Sequence, residues 1–416
     1  AVVAGAFFYL FRKDQPPQRL VADVQLDPLV GSMEREFWYS GAALEEVVSD
    51  MLRSMQRGLT GQDTSIKMLP SFVTSLPTGK ENGDFLALDL GGSNFRTVRI
   101  GLNGTGEYTI TSSKFKVPEE IMKGTADELF GFIADRVKDF VPDAVGKGAA
   151  ALPLGFTFSF PVEQHSLNSG DLIVWTKGFS AINCVGKDVV QLLQTQLSKR
   201  DVNVHVTALV NDTVGTLLAR AIEDPVCSVG VILGTGTNAA YVERHSKITK
   251  MPDAAAHDPD AEMIINTEWG GYSGLPLRRT KYDFELDVQS TNPNSQLFEK
   301  MISGMYLGEL CRRVTVDLVK HDVLFGGQLS QTLAQVGGFE TAVMSQIEED
   351  STPNLTKTRT LLERQLDVMG STFLDRVTLK QVCVMVSTRA ARLSAAGIAA
   401  LLKKMNRPKV TVAIDG

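Results

Sequence analysis

Apolar and polar positions along this chain follow two rhythms, and each one predicts elements. Residues 206–210 (VTALV) form an aliphatic and β-branched run that ends on Asn211-Asp212, with helix formers through Ala219 and Ala221. This predicts a buried strand feeding a helix. Residues 85–90 and 95–102 read as strands around the turn Gly91-Gly92-Ser93-Asn94, and a third strand follows from Tyr108. Residues 154–160 (LGFTFSF) alternate, with Phe156, Phe158 and Phe160 on one face and Gly155, Thr157 and Ser159 on the other. Residues 228–233 form another buried strand, ending in Gly234-Thr235-Gly236-Thr237. Residues 239–243 read as its return strand, residues 263–266 as a short strand, and 410–414 as a last one.

The helical rhythm is clearest over 41–59, where Leu44, Val47, Val48, Met51, Leu52 and Met55 share one face. Helices are also predicted over 125–140, 186–199, 296–319 and 379–404. Gly397 inside the last of these marks a close approach, with helix–helix packing as its plain explanation. Residues 67–79 read as a linker and turn, and 325–367 as helical and polar without readable chemistry.

Composition narrows the class. The chain has 416 residues, 43% hydrophobic and 22% charged, which predicts a folded protein of two domains. A net charge of −6 argues against a nucleic-acid partner. The four cysteines are scattered and no histidine lies at metal-ligand spacing, so buried reduced thiols are expected. Residues 1–11 (AVVAGAFFYLF) are apolar and Arg12-Lys13 follows. Eleven helical residues reach only ~16 Å, against a hydrocarbon core of ~30 Å. The aromatic and basic flank nevertheless suits the interfacial end of a membrane anchor, with the following domain in the cytosol. A short helix packed on the protein is the alternative.

Candidate chemistry gathers at strand ends. Asn211-Asp212 stands where ligands bind in open α/β sheets, although an Asp there also serves as a simple N-cap. Asp89 precedes the first glycine turn, where a carboxylate can hold a hydrated Mg²⁺ beside backbone N–H groups that receive an anion. Gly234 to Ala239 match G-x-G-x-x-A, but a strand follows rather than a helix, so a hairpin is predicted and not a dinucleotide fold. No Gly-Lys pair is followed by Ser or Thr, which excludes a Walker A loop.

Several of these motifs resemble the eukaryotic hexokinases, as a plant-like single-unit member. They are LDLGGSNFR (88–96), GFTFSFPV (155–162), WTKGF (175–179), LVNDTVGT (209–216), ILGTGTNAAYVE (232–243), INTEWG (265–270) and FEKMISGMYLGE (298–309). The resemblance runs from about residue 50 to 416. It implies an α/β, two-domain actin-like ATPase (ribonuclease H-like) fold with a cleft between a small and a large domain. The small domain would be 77–211 and the large domain 16–76 with 212–416, after a candidate anchor over 1–15.

The implied activity is ATP-dependent phosphorylation of the 6-hydroxyl of a hexose, with glucose the expected sugar and ATP and Mg²⁺ required, in a cytoplasmic monomer. The resemblance assigns the sugar site to Ser159, Thr176, Lys177, Asn211, Asp212, Asn238, Glu268 and Glu299, with Asp212 as catalytic base and Lys177 beside it. Asp89, Gly91, Gly92, Ser93 and Asn94 resemble the first phosphate segment, and Asp89 would meet the metal through water. Gly234, Thr235, Gly236 and Thr237 resemble the second. Ser387, Thr388 and Gly397 resemble the adenosine segment. Ser93 stands where the family usually has Thr, which keeps the hydroxyl. The family continues past Asp415-Gly416, so a form ending there is expected to lose stability. Two rivals remain: a hexose sensor or scaffold with weak turnover, and a sugar-free ATPase of the same fold.

Overall fold

In the computed structural model the described residues are 25–416, apart from 79, 92–93, 106, 147, 150, 176–177, 252–257 and 259. Gly92, Ser93, Thr176, Lys177 and the apolar segment 1–11 therefore lie outside the described residues.

Two five-stranded sheets share one plan. The first runs β4 (Tyr108–Lys116), β3 (Asn94–Asn103), β2 (Asn82–Leu90), β5 (Leu152–Phe158), β8 (Val204–Val210). Its first three strands are antiparallel, and β5 and β8 are parallel to β2. The second runs β1 (Leu69–Pro70), β11 (Glu262–Asn266), β10 (Thr237–Arg244), β9 (Cys227–Leu233), β12 (Thr411–Asp415). There too an antiparallel trio carries a parallel neighbour, β12 on β9. A small hairpin, β6 (Val162–Ser166) with β7 (Ser169–Leu172), stands apart.

Sequence alternation explains the first sheet: β5 buries every second residue, placing Phe156 and Phe158 in a core that spans residues 86–209. The second sheet is wrapped by the helices Gly41–Leu59 and Phe373–Met405, which bury Val47, Met51, Leu393 and Leu401 against Val229 and Tyr241. Phe373–Met405 is long and apolar enough to cross a bilayer, yet most of its apolar window is buried inside the protein. All four cysteines are buried and free.

Three expectations change and one gains a role. The helix expected over 296–319 is broken into Leu297–Ile302 and Gly304–Lys320, because Ser303 is extended (φ −90°, ψ 153°) and the next two N–H groups are used outside the helix. The linker over 67–79 contains β1, which pairs with β11. The stretch 325–367 is helical as expected, and its Phe339, Val343, Ile347 and Leu362 join a third core with Leu310, Leu318 and Val386. The close approach at Gly397 comes from the Trp269 ring, not from a helix.

Where the chain passes between sheets, Val73 and Leu76 pack with Ala208, Val210 and Val214 in a small separate cluster. The helix Asp212–Glu223 leaves β8 there and lies on the second sheet. Gly230 in β9 makes that contact possible, since a Cβ there would stand 2.3 Å from Thr213 O and 2.9 Å from Leu217 Cβ. At its start the same helix faces the first sheet, with Gly215 toward Thr157 Oγ1 of β5.

Candidate active site between the two sheets

The start of the helix Asp212–Glu223 fixes the centre of the site. Asn211 is its N-cap (φ −78°, ψ 156°), and Asn211 Oδ1 accepts Thr213 N–H at 3.0 Å and the Thr213 hydroxyl at 2.7 Å. Capping therefore belongs to Asn211. Asp212 is the first helical residue; its Oδ1 also accepts Thr213 N–H, at 2.9 Å, and its side chain stays half-buried. A carboxylate in the first turn complements the helix dipole, but no cap depends on it.

From the second sheet, Asn238 on β10 reaches the same point. Its Nδ2 lies 3.2 Å from Asn211 Oδ1, 2.8 Å from Asn266 Oδ1 and 3.1 Å from Glu268 Oε1. Asn238 Oδ1 accepts Ala239 N–H at 2.7 Å, which fixes the amide's orientation. Asn266, at the end of β11, donates to Glu268 Oε1 at 2.8 Å and so holds the carboxylate from a second side.

Glu268 has a left-handed backbone (φ 53°, ψ 43°), a conformation that costs a non-glycine residue ~1–2 kcal/mol. Hydrogen bonds on both sides impose it: Thr267 N–H and its hydroxyl both go to Ala239 O, and Trp269 N–H goes to Thr267 Oγ1. Glu299 enters from the helix Leu297–Ile302, whose N-cap Gln296 is also left-handed (φ 54°). Its Oε2 accepts Thr237 N–H at 2.9 Å. The Trp269 indole donates to Thr237 Oγ1 at 3.0 Å, so the loop carrying Glu268 and the element carrying Glu299 meet at one residue.

Ser159 is buried just past β5, and its N–H bonds to Leu90 O, beside the first glycine turn. Asp89 is exposed near the end of β2. A Cβ on Gly91 would meet nothing within 4 Å, so that glycine faces open space, and Asn94 begins β3. The second turn is the hairpin linking β9 and β10, closed by Gly234 N–H to Gly236 O at 3.0 Å; no helix follows it. Exposed oxygen donors beside a glycine turn suit a hydrated hard cation better than a direct ligand cage. Among the described residues no cluster of three His, Cys, Asp or Glu could hold a metal by itself.

The three residues assigned to the adenosine segment all lie on the helix Phe373–Met405. Ser387 donates to Glu348 Oε1 at 2.8 Å. Thr388 lines a small cavity with Glu34, Trp38 and Arg389, and Gly397 is filled by Trp269, 2.9 Å from where its Cβ would be. Sequence reading passed over Asn266. The signal was available: like Asn211, it is a polar residue ending a strand.

Known proteins match this layout. Two family models, both described as hexokinase, cover residues 29–222 and 228–416. The chain is 43% identical over 402 residues to a hexokinase of Schistosoma mansoni, covering 95% of this chain and 88% of that one. It is 39% identical over 411 residues to a hexokinase of Kluyveromyces lactis, covering 97% and 84%. Human hexokinase-1 is 45% identical over 388 residues, covering 90% of this chain and 41% of the human one. The solved structure of the Schistosoma mansoni hexokinase complexed with glucose superposes with a TM-score of 0.87 at 41% identity, covering 99% of this chain and 89% of that one.

Proposed function

The chain belongs to the hexokinase family, and from that premise we propose that it transfers the γ-phosphoryl group of ATP to the 6-hydroxyl of a hexose, glucose foremost. One observation carries the reading: Asn211, Asp212, Asn238 and Glu268 converge between two glycine turns, with Glu299 tied to the second turn. A hexose offers a ring of hydroxyls that each donate and accept. Amides and carboxylates held this firmly reject a sugar lacking one of them, because a buried group is then left unpaired at a cost of ~1–3 kcal/mol.

Asp212 is positioned to accept the proton of the 6-hydroxyl as it attacks phosphorus. Asn211 Oδ1 accepts the same Thr213 N–H as Asp212 does, so the helix start stays held when the proton arrives. Phosphoryl transfer asks the protein mainly for positioning and charge neutralisation. Backbone N–H groups around Gly91 and at Thr235 and Gly236 would receive the ATP phosphates. Asp89 and Asn94 would hold the Mg²⁺ that travels with ATP, through water, and that ion neutralises charge on the phosphates. Lys177 and Thr176 complete the proposed sugar site by resemblance. Closing the two sheets over the sugar would exclude water, the competing nucleophile.

A coupled ADP-release assay with and without a panel of hexoses tests this reading. Hexose-dependent ADP release is expected. Sugar-independent release would favour the plain ATPase, and sugar binding without release would favour the sensor. The membrane anchor over 1–11 stays a proposal, tested by fractionating the protein with and without those residues.

A further inference from the structure

Glu299 stands with the sugar residues, yet it also grips the second phosphate turn. Its Oε2 accepts the N–H of Thr237, the residue that leaves that turn. Five residues later the same stretch grips the turn from its other side. Gly304 N–H donates to Gly234 O at 2.8 Å, and Met305 N–H donates to Thr235 O at 3.2 Å. The break at Ser303 frees these two donors, because the second helix starts there and its first N–H groups have no partner of their own. Thr341 Oγ1 anchors the start of that helix by donating to Gly304 O at 2.5 Å.

Two glycines show how tightly this is built. A Cβ on Gly304 would stand 3.0 Å from Gly234 O, and one on Gly270 would stand 3.1 Å from Thr237 O and 3.4 Å from Glu299 Cβ. Residues 299–305 thus clamp residues 234–237 by three hydrogen bonds, one of them charge-assisted.

We propose that Glu299 is the residue that couples the two substrates: the carboxylate that recognises the hexose also holds the phosphate turn in its nucleotide-binding shape. The inference rests on the hexokinase reading above. A turn of backbone N–H groups binds an anion well only when the peptide planes are already set. The bond from Thr237 N–H to Glu299 sets the plane between Gly236 and Thr237. A sugar that immobilises Glu299 therefore stiffens the turn, and by linkage a bound nucleotide favours the sugar by the same factor. Glu268, also assigned to the sugar, accepts from Asn238 and Asn266, which makes it the comparison.

The test is calorimetric titration of the full chain with ADP, first alone and then at saturating glucose. Glu299→Ala, Glu299→Gln and Glu268→Ala are compared with the parent. Without sugar, Glu299→Ala is expected to weaken ADP binding by roughly 10-fold, the loss of one charge-assisted hydrogen bond. Glu299→Gln keeps an acceptor oxygen and should fall between it and the parent, while Glu268→Ala should weaken ADP binding less than Glu299→Ala does. Glucose should tighten ADP binding in the parent and not in Glu299→Ala. If Glu299→Ala unfolds, Gly304→Ala reads the opposite grip and should weaken ADP while sparing glucose. Equal ADP affinities for Glu299→Ala and Glu268→Ala, or tighter binding after removal of Glu299, would overturn the proposal. A parent chain that binds no glucose would instead overturn the hexokinase reading, and the ADP titration without sugar distinguishes the two failures.

Discussion

Asn238 Nδ2 lies 3.2 Å from Asn211 Oδ1, and that contact joins a strand of the second sheet to the end of a strand of the first. Both residues are already committed within their own sheets, Asn211 to capping its helix and Asn238 to Asn266 and Glu268. Asp212, the proposed base, thus follows directly on a residue through which the two sheets touch.

Gly230 should be intolerant of any side chain. Its missing Cβ lets the helix Asp212–Glu223 lie on β9, with Thr213 O only 2.3 Å from the place a methyl would take. Gly230→Ala is expected to cost ~1–3 kcal/mol as an overpacked contact. It should also lower kcat, because that helix carries Asp212. Denaturant unfolding and steady-state kinetics on the same preparation check both effects.

Arg389 and Asp283 form a buried bidentate pair, with both hydrogen bonds at 2.7 Å and the guanidinium 4.3 Å over the Phe37 ring. Burial alone would push the Asp283 carboxyl up, but Arg389 and Thr280 outweigh it and hold it low. Arg389→Met should cost ~3–5 kcal/mol by leaving that charge uncompensated. Adding Asp283→Asn should recover part of the loss. A double variant no more stable than Arg389→Met would contradict this account.

Asp350 predicts an acid-sensitive term. Its buried carboxylate accepts four hydrogen bonds, from the N–H and hydroxyl of Thr352 and of Thr358. Burial would raise its pKa, yet these bonds hold it at about 2. The folded value lies below the unfolded one of ~3.9, so the stabilisation is present above pH ~4 and is lost as pH falls toward 2. The stability deficit of Asp350→Ala should therefore shrink by ~2 kcal/mol across that window. A deficit independent of pH would contradict it.

Strands and their ends were legible because burial imposes a period on them. β2, β3, β5 and β8 begin and end within a few residues of expectation, and Asn211-Asp212 falls at a strand end as read. Breaks and reach were not legible. Nothing local marks Ser303 as extended; two carbonyls from residues 234 and 235, distant in sequence, draw the helix apart there. The glycine at 397 was correctly seen as a close approach, but only packing reveals that an indole fills it. Asn266 was hidden because its partners, Asn238 and Glu268, meet only once β10 and β11 pair.

The most direct measurement is kcat for glucose phosphorylation by Asp212→Ala, read beside its melting temperature and its glucose affinity. Because Asn211 holds the cap, the variant should melt close to the parent and still bind glucose. Its kcat should fall by ~10²–10⁴-fold, the worth of a general base. A variant that loses its fold, or one that stays folded and turns over at the parent's rate, would contradict the assignment of Asp212 as the base.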